Sequence, residues 1–167
     1  MDRHTAYISV GSNIGNKLSN CRRGMSCIES SGLADIVAKS SFYKTEPVDY
    51  RHQDWFVNAV FQVDTIADPH QLFDVLKTIE IDQGRDNDSV RFGPRVLDLD
   101  IILYDDLVMD SSVLTIPHPR MHKRRFVLKP FCDIAPHVIH PVLKKTMQQL
   151  LESLPDTGQK VILNKCD

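Results

Sequence analysis

The order of the predicted strands and helices constrains the fold of this 167-residue chain more than any other feature. Segments with a side-chain period of two and segments with a helical period follow one another as strand, helix, strand, strand, helix, strand. These segments are residues 5–10, 18–30, 36–43 and 55–63, a helix that opens at Asp68-Pro69 and stops near Gly84, and residues 97–104. Two helices packed on one face of a mostly antiparallel sheet form the ferredoxin-like α+β fold. The adjacent strands in the middle of the series favour this fold over a parallel doubly wound sheet.

Shorter elements follow the sixth segment. They are a strand at residues 113–116, a short basic helix at 121–128 that ends near Pro130, a helix at 147–153 and a strand at 161–163. The polar segment at residues 44–54 predicts a long loop of the kind that forms lids or binding segments, and the charged, non-periodic run at residues 85–90 predicts a mobile loop. Because the sequence contains no internal repeat, low-complexity stretch or linker, we expect one domain over residues 1–167.

The composition excludes several function classes. Hydrophobic residues make up 42% of the chain and charged residues 25%, as in an ordinary globular protein. A formal net charge of -2 argues against broad non-specific binding to nucleic acid. No apolar stretch approaches the length of a membrane span, and the first residues lack the features of a signal peptide. We therefore expect a cytoplasmic protein with small-molecule substrates and no nucleic-acid or membrane partner, as a monomer in preference to a dimer.

Two aspartates share one face of the predicted strand at 97–104. A period of two sets Asp98 and Asp100 on one face, roughly 6 to 7 Å apart at the backbone. The same period sets four apolar residues on the other face: Leu97, Leu99, Ile101 and Leu103. Adjacent carboxylates repel unless a cation lies between them, and magnesium prefers such oxygen ligands. An isolated Asp-x-Asp is more often a solvated surface strand, so the neighbouring residues decide between the two interpretations.

Three arginines precede the aspartates. Arg85, Arg91 and Arg95 fall within eleven residues, and the fixed donor fork of arginine suits phosphate. Arginines beside a magnesium site are typical of phosphoryl or diphosphoryl transfer, in which the enzyme positions the groups and stabilises their charge. The alternative is a solvated loop with salt bridges to Asp86 and Asp88, and the Asp-x-Asp strand favours phosphate chemistry over it.

A second basic cluster lies further along the chain. It comprises Arg120, Lys123, Arg124 and Arg125, and it is either a contact for the far end of a polyphosphate or an exposed helical face. Four histidines are interspersed or follow: His118, His122, His137 and His140. The prolines between them break the helix that a zinc spacing would need, which disfavours a zinc site.

Three aromatic residues stand beside polar groups outside the regular apolar stripes. Phe56, Phe92 and Phe126 are candidates to sandwich a flat heterocycle, with the Asn58 amide binding its edge. On sequence grounds alone each is equally well explained as a core aromatic. A further glycine-bearing stretch, residues 11–16, matches neither common phosphate-binding motif, and we interpret it as a tight turn that closes the first strand.

The hallmark segment of the 6-hydroxymethyl-7,8-dihydropterin pyrophosphokinase family resembles residues 91–102 of this chain, RFGPRVLDLDII. Shorter segments also resemble the family, in its order, between about residues 5 and 140. They are residues 11–13, 41–47, 56–58, Glu80 with 83–85, 114–118 and 124–126. The resemblance implies a ferredoxin-like enzyme of folate biosynthesis that transfers the terminal diphosphate of MgATP to the hydroxymethyl group of a reduced pterin and leaves AMP.

The resemblance also implies roles for individual residues. Asp98 and Asp100 are implied to hold two magnesium ions, and Arg85 and Arg95 to engage the phosphates. The implied pterin contacts are Thr45, Glu46, Pro47, Val48, Phe56, Asn58, Phe92 and Phe126. The implied ATP contacts are Lys77, Glu80, Arg91, Ile101, Leu114, Thr115, His118 and Arg124.

The chain departs from the family pattern at five positions. Phe92 stands where a tryptophan is common, and Lys77 where a glutamine is frequent. The other three are Asn87, Val113 and Pro119, where some members have an arginine, an arginine and a tyrosine. These departures bear on nucleotide affinity and on closure over the pterin, and the implied reaction type does not depend on them.

Two other functions fit parts of the pattern. A palm-type nucleotidyl transferase also uses an Asp-x-Asp pair with two metals, and it would release pyrophosphate where the favoured reaction leaves AMP. A ferredoxin-like RNA-binding module would need exposed aromatics on its central strands and a basic surface. The acidic strand at 97–104 argues against the RNA-binding module.

Overall fold

The fold is built on one antiparallel sheet. The computed structural model describes residues 2–47, 52–84, 94–155 and 158–165, and these ranges contain eight strands. The strands are β1 (His4–Ser12), β2 (Ala34–Lys39), β3 (Tyr43–Thr45), β4 (Phe56–Thr65), β5 (Asp98–Tyr104), β6 (Met109–Asp110), β7 (Thr115–Ile116) and β8 (Val161–Leu163). The main sheet has the order β5, β1, β4, β3, β8, and β2 pairs with the other end of β4. β6 and β7 form a separate pair.

Two helices cover the first face of the main sheet. α1 (Lys17–Ser30) and α2 (Pro69–Asp82) bury their apolar stripes against alternate residues of β1, β4 and β5. α2 begins as predicted, with Asp68 and Gln71 forming a capping box and Pro69 at the first position. The element order and the two helices on one face confirm the predicted ferredoxin-like α+β arrangement.

Two further helices cover only part of the second face. α3 (Arg125–Ile134) and α4 (Met147–Glu152) pack over Tyr7 of β1, Val60 of β4 and the end of β5. The Phe131 ring of α3 stacks on the Tyr7 ring with centroids 4.5 Å apart. The end of this face that carries Asp98 and Asp100 lies outside this second core. The partial cover therefore separates an apolar region from a polar one on the same side of the sheet.

The predicted strand at 36–43 is two strands. β2 ends at Lys39 and β3 begins at Tyr43, and both pair with β4. At the break, the backbone N–H of Ser40 donates to the Val60 carbonyl, and the Val60 N–H donates to the Ser40 hydroxyl oxygen. The Ser40 side chain thus replaces one backbone acceptor at the break. Since the apolar pattern of residues 36–43 continues through this break, the sequence period does not reveal where β2 ends.

The predicted basic helix at 121–128 is also corrected. Residues 121–123 form one 3-10 turn, and α3 begins at Arg125 and continues through Pro130 to Ile134. Proline inside a helix removes one backbone hydrogen bond. Burial of the apolar side of α3, which includes Pro130 and Phe131, offsets that loss.

A bulge changes the faces of β5. Ile8 pairs with Ile101 and Tyr7 pairs with Leu103, so Ile102 is an extra residue on β5. Leu103 therefore packs in the second core, whereas Leu97, Leu99 and Ile101 pack in the first. The prediction that all four apolar residues share one face is wrong for Leu103. Asp98 and Asp100 precede the bulge and keep their predicted common face.

Candidate active site

Asp98 and Asp100 lie together at the polar end of the second face. The β1 residues opposite them are Gly11 and Ser9, so no bulky β1 side chain stands beside the two carboxylates. Both aspartates are half-buried, and the Asp100 side chain retains 30% of its exposure. Because the two like charges lie on one strand, a cation bound between them would stabilise the pair.

An ion pair on α2 holds the backbone of Leu99, the residue between the aspartates. Glu80 accepts the Leu99 N–H through Oε2 at 2.7 Å, and Lys77 donates from Nζ to the Leu99 carbonyl at 3.2 Å. The Lys77 and Glu80 side chains pair at 3.2 Å, and Nζ of Lys77 lies 3.9 Å from Oδ1 of Asp100. Glu80 is only 1% exposed. These bonds satisfy the outer edge of β5 and fix the backbone that spaces Asp98 from Asp100.

A cleft of about 250 Å³ opens beside Asp100. Five of the implied ATP contacts line it: Lys77, Ile101, Leu114, Thr115 and His118. Phe73 of α2 lies in the same wall, with the Lys77 ammonium 5.4 Å from its ring centroid. The departures Val113 and Pro119 also line the cleft. Asp100 belongs both to this cleft and to the aspartate pair, so the two sites are continuous.

His118 is fixed in this cleft as a neutral ring. Its backbone N–H donates to the carbonyl of Ile102, the extra residue of the bulge, at 3.0 Å. Burial, followed by the charges of Arg124, Arg120 and Lys77, lowers the pKa of His118 to about 4. The Arg120 backbone N–H donates to Nδ1 at 3.1 Å, so the proton of the neutral ring is on Nε2. His118 can therefore offer one N–H donor to a ligand at neutral pH.

Three of the implied pterin contacts, Thr45, Phe56 and Asn58, lie on β3 and β4, on the side of Gly11 opposite to Asp98. Asn58 of β4 is paired with Gly11, and its Nδ2 donates to the Thr45 hydroxyl at 2.5 Å. A Cβ atom at Gly11 would overlap Oδ1 of Asn58 and lie 3.7 Å from the Phe56 ring. Gly11 lies inside β1, so its interpretation as part of a tight turn is wrong. A glycine inside a strand marks a close approach, and this signal was available in the sequence.

Asn13 is a second residue that sequence reasoning missed. Its side chain is 3% exposed and donates to Gln53 Oε1 at 2.8 Å and to the Asp54 carbonyl at 3.1 Å. Its Oδ1 accepts the Arg95 backbone N–H at 2.8 Å, and its own N–H donates to the Arg95 carbonyl at 3.0 Å. Asn13 therefore joins the segment before β4 to the segment before β5. Residues 11–13 resemble the family, but the sequence assigned no role to Asn13.

Other predicted residues have less direct positions. Pro47 is buried, and the Glu46 carboxylate bonds to a backbone N–H near β8. Phe126 lies in the first turn of α3, with the Arg124 guanidinium 5.3 Å from its ring centroid. The remaining predicted site residues lie outside the described residues: Val48, Arg85, Arg91 and Phe92. The departure Asn87 lies outside them as well.

The donor set at the aspartates suits magnesium better than a transition metal. Among the described residues, no group of three or more histidine, cysteine, aspartate or glutamate side chains is arranged to hold a metal ion. Two carboxylates with exposed surface fit a cation that keeps several waters and takes phosphate oxygens as further ligands. His140 accepts backbone N–H bonds from Val142 and Leu143 at Nδ1, and the His122 ring lies edge-on to it with centroids 6.3 Å apart.

Comparison with known proteins identifies the family. The family model described as 7,8-dihydro-6-hydroxymethylpterin-pyrophosphokinase (HPPK) matches residues 7–136. The chain belongs to this family. A 2-amino-4-hydroxy-6-hydroxymethyldihydropteridine pyrophosphokinase of Haemophilus influenzae is 39% identical over 137 residues, which are 82% of this chain and 85% of the relative. The Bacillus subtilis protein of the same name is 37% identical over 133 residues, or 80% and 79% of the two chains.

Other members of the HPPK family are much longer. The folic acid synthesis protein fol1 of Schizosaccharomyces pombe is 38% identical over 153 residues, which are 92% of this chain and 21% of that protein. The chain thus spans about a fifth of the length of the fungal relative. Plant relatives include a mitochondrial folate synthesis bifunctional protein of Arabidopsis thaliana, so the cytoplasmic location of this HPPK chain stays a prediction. No helix in the described ranges is long and apolar enough to cross a membrane.

Solved structures agree with the fold. The crystal structure of Plasmodium falciparum HPPK-DHPS with pteroate superposes with a TM-score of 0.73 at 15% identity, covering 90% of this chain and 42% of that chain. A second HPPK-DHPS structure, in complex with substrates, has a TM-score of 0.72 and covers 91% and 43%. HPPK membership lends no support to the palm-type nucleotidyl transferase or to the RNA-binding module.

Proposed function

We propose that the chain transfers the β,γ-diphosphate of ATP to the hydroxymethyl oxygen of 6-hydroxymethyl-7,8-dihydropterin, giving the pterin diphosphate and AMP. The observation that carries this proposal is the position of Asp100. It lies beside Asp98 on one strand, and it also lines the cleft that contains five implied nucleotide contacts. The row from Asp98 through Gly11 to Asn58 then joins the metal ligands to the pterin side.

Asp98 and Asp100 would hold two magnesium ions in this proposal. Magnesium bound there supplies neutralisation of the phosphate charge and polarisation of the reacting groups. The chain contributes a fixed pair of carboxylates, because α2 holds the Leu99 backbone between them. Lys77, 3.9 Å from Asp100, adds a positive charge at the edge of the same site. Positioning and electrostatic stabilisation are the two contributions that phosphoryl transfer requires from a protein.

The nucleotide would occupy the cleft beside Asp100. Ile101 and Leu114 offer apolar walls, while Thr115 and the Nε2–H of His118 offer polar contacts. The residues proposed to engage the phosphates are Arg85, Arg91, Arg95 and Arg124. Of these, Arg95 is tied to β1 through Asn13, which fixes its backbone near the start of β5. Because the Arg95 backbone is already fixed, phosphate binding would cost less backbone conformational entropy there.

The pterin would lie on the other side of the aspartates. Because Asn58 donates Nδ2 to Thr45, its Oδ1 faces Gly11 and offers an acceptor to a ring N–H or amino group. The missing side chain at Gly11 leaves room for the Asn58 amide, whose Oδ1 lies where a Cβ would stand, and Phe56 borders the same space. The further proposed contacts are Thr45, Pro47, Val48, Phe92 and Phe126. The hydroxymethyl group would then point along the row toward Asp98.

An assay with MgATP and 6-hydroxymethyl-7,8-dihydropterin tests the proposal. The expected result is AMP, formed only when magnesium, ATP and the pterin are all present, with the pterin diphosphate in equal amount. Release of pyrophosphate from ATP would instead indicate nucleotidyl transfer and overturn the proposal. AMP formation without pterin would overturn it as well, because the acceptor would then be water.

A further inference from the structure

The strand β8 packs against the segment proposed to bind the pterin. It pairs with β3 through Tyr43 to Leu163, Lys44 to Ile162 and Thr45 to Val161. The family model matches residues 7–136, so β8 lies beyond the residues that the model matches. Without β8, the three residues of β3 would form an exposed edge of the sheet, and short edge strands are weakly held.

The pairing continues past the strand as a group of hydrogen bonds on Glu46. The Glu46 N–H donates to the Lys160 carbonyl at 3.0 Å, and the Lys160 N–H donates to Oε1 of Glu46 at 2.7 Å. Nε2 of Gln159 donates to the Glu46 carbonyl. At the other end of β8, the N–H of the buried Asn164 donates to the Phe42 carbonyl at 2.9 Å. The N–H, the carbonyl and the carboxylate of Glu46 are therefore all bonded to residues 159 and 160.

Glu46 is adjacent to the proposed pterin contacts on both sides. Thr45 is fully buried and accepts the Asn58 amide, and Pro47 is buried as well. A displacement of Glu46 would therefore move the Thr45 hydroxyl relative to Asn58. The Glu46 carboxylate accepts the backbone N–H of residue 160, so its hydrogen-bond partner is part of the chain itself.

We propose that Glu46 is a positioning residue, which holds Thr45 and Asn58 in the geometry that binds the pterin by anchoring β3 to residues 159–164. This inference rests on the proposed function for the identity of the ligand. It assigns the Glu46 carboxylate a role within the chain, where the family resemblance implied a contact with the pterin itself. The anchored segment thereby extends the pterin site to a part of the chain outside the family match.

The test compares Glu46→Ala with Glu46→Gln. Glutamine keeps an oxygen that accepts the Lys160 N–H, while alanine removes it. In Glu46→Ala we expect the KM for the pterin to rise about tenfold, the scale of one hydrogen bond lost from the binding geometry, with the KM for ATP within about twofold of its original value. Glu46→Gln should stay within about threefold for both substrates. The matched control is Glu29→Ala, which also removes a carboxylate from a backbone N–H, that of Ile36 on β2.

Hydrogen exchange measured by mass spectrometry tests the hydrogen bonds between Glu46 and residues 159 and 160 without an activity assay. Exchange in peptides covering 42–47 and 160–164 should become faster in Glu46→Ala, while exchange in α2 and exchange in Glu29→Ala over the same peptides stay unchanged. An equally raised pterin KM in Glu46→Gln and Glu46→Ala would indicate a charged contact with the ligand and overturn the proposal, and a pterin KM that is unchanged in both variants would overturn it as well. Unchanged exchange in Glu46→Ala would overturn it too. If the original protein forms no pterin-dependent AMP, the proposed function fails, and the exchange experiment still decides the anchor.

Discussion

The two faces of the main sheet differ in residue composition and in role, although the same strands form both. The first face is mostly apolar, with Ser12 and Thr65 as buried polar residues near its two ends, and α1 and α2 cover it. The second face is apolar under α3 and α4, and its other end carries Asp98 and Asp100. On β5, Leu99 is fully buried on one side while its two neighbours reach the candidate site on the other. Stability and chemistry are thus assigned to alternate residues of one strand.

The comparison is most severely tested at the aspartates. Asp98→Ala and Asp100→Ala should each lower AMP formation by about 10³-fold, the scale for removing one preorganised electrostatic group. The melting temperature should change little, because each change removes a repulsion between like charges, which for Asp100 offsets the loss of its contact with Lys77. Turnover assays with thermal unfolding check both results. A variant that keeps a tenth of the activity would show that the polar end of the second face is not the metal site.

Glu80 tests whether the two faces are independent. It belongs to α2 on the first face, yet its carboxylate bonds the Leu99 N–H between the aspartates. Glu80→Ala should raise the magnesium concentration for half-maximal activity by about 10- to 100-fold, as expected for residues that orient metal ligands. Glu80→Gln, which keeps an acceptor for Leu99, is the control. An identical magnesium titration for Glu80→Ala and the original protein would show that Glu80 on the first face does not affect magnesium binding on the second face.

The same substitution on each face sharpens the comparison. A Cβ at Gly11 would overlap Asn58, whereas a Cβ at Gly24 of α1 would lie 2.8 Å from Leu97 in the first core. Gly11→Ala should raise the KM for the pterin about tenfold, because the Cβ displaces the Asn58 amide from Thr45, and loss of that buried hydrogen bond should cost about 1 kcal/mol of stability. Gly24→Ala should leave that KM unchanged and lower the free energy of unfolding by about 1 kcal/mol, because overpacking outweighs the gain in helix propensity.

Steady-state kinetics and urea unfolding on both glycine variants measure these effects. If Gly11→Ala destabilised the protein and left pterin binding intact, Gly11 would belong to the structural part of β1. If Gly24→Ala changed the pterin KM, the first core would control the site more strongly than the separation of the faces suggests.

The smallest expected effect concerns His118, whose backbone N–H donates to Ile102 in the bulge of β5. Its pKa is about 4 in the folded chain and 6.5 in the unfolded chain. Between these values the unfolded chain binds a proton and the folded chain does not, so the stability is fully present above pH 6.5 and is lost as the pH falls. Lowering the pH from 7.5 to 5 should cost about 1–2 kcal/mol from this group.

His118→Asn isolates that contribution. Asparagine keeps an acceptor for the Arg120 N–H and cannot titrate, so its free energy of unfolding should change less with pH by the same amount. Urea unfolding at several pH values checks the difference. An identical pH dependence in the two proteins would mean that His118 titrates normally in the folded chain.

The sequence by itself determined the fold class and much of the site. The capping box at Asp68 and Gln71, the strand and helix periods, and the common face of Asp98 and Asp100 are all set by near neighbours in the chain. The family membership was likewise predictable, because the hallmark segment is one continuous run. The implied roles of the site residues stay predictions, including those of Arg85, Arg91, Phe92 and Val48, which the structure does not describe.

Tertiary structure decided how these elements meet. The register between β1 and β5 moved Leu103 to the second core. Among the described strands β5 is at the edge of the sheet, which gave Lys77 and Glu80 a backbone partner at Leu99. The pairing of β3 with β8 turned Glu46 toward residue 160, which lies 114 positions further along the chain. Strand register and edge contacts depend on residues far apart in sequence, and local periodicity carries no information about them.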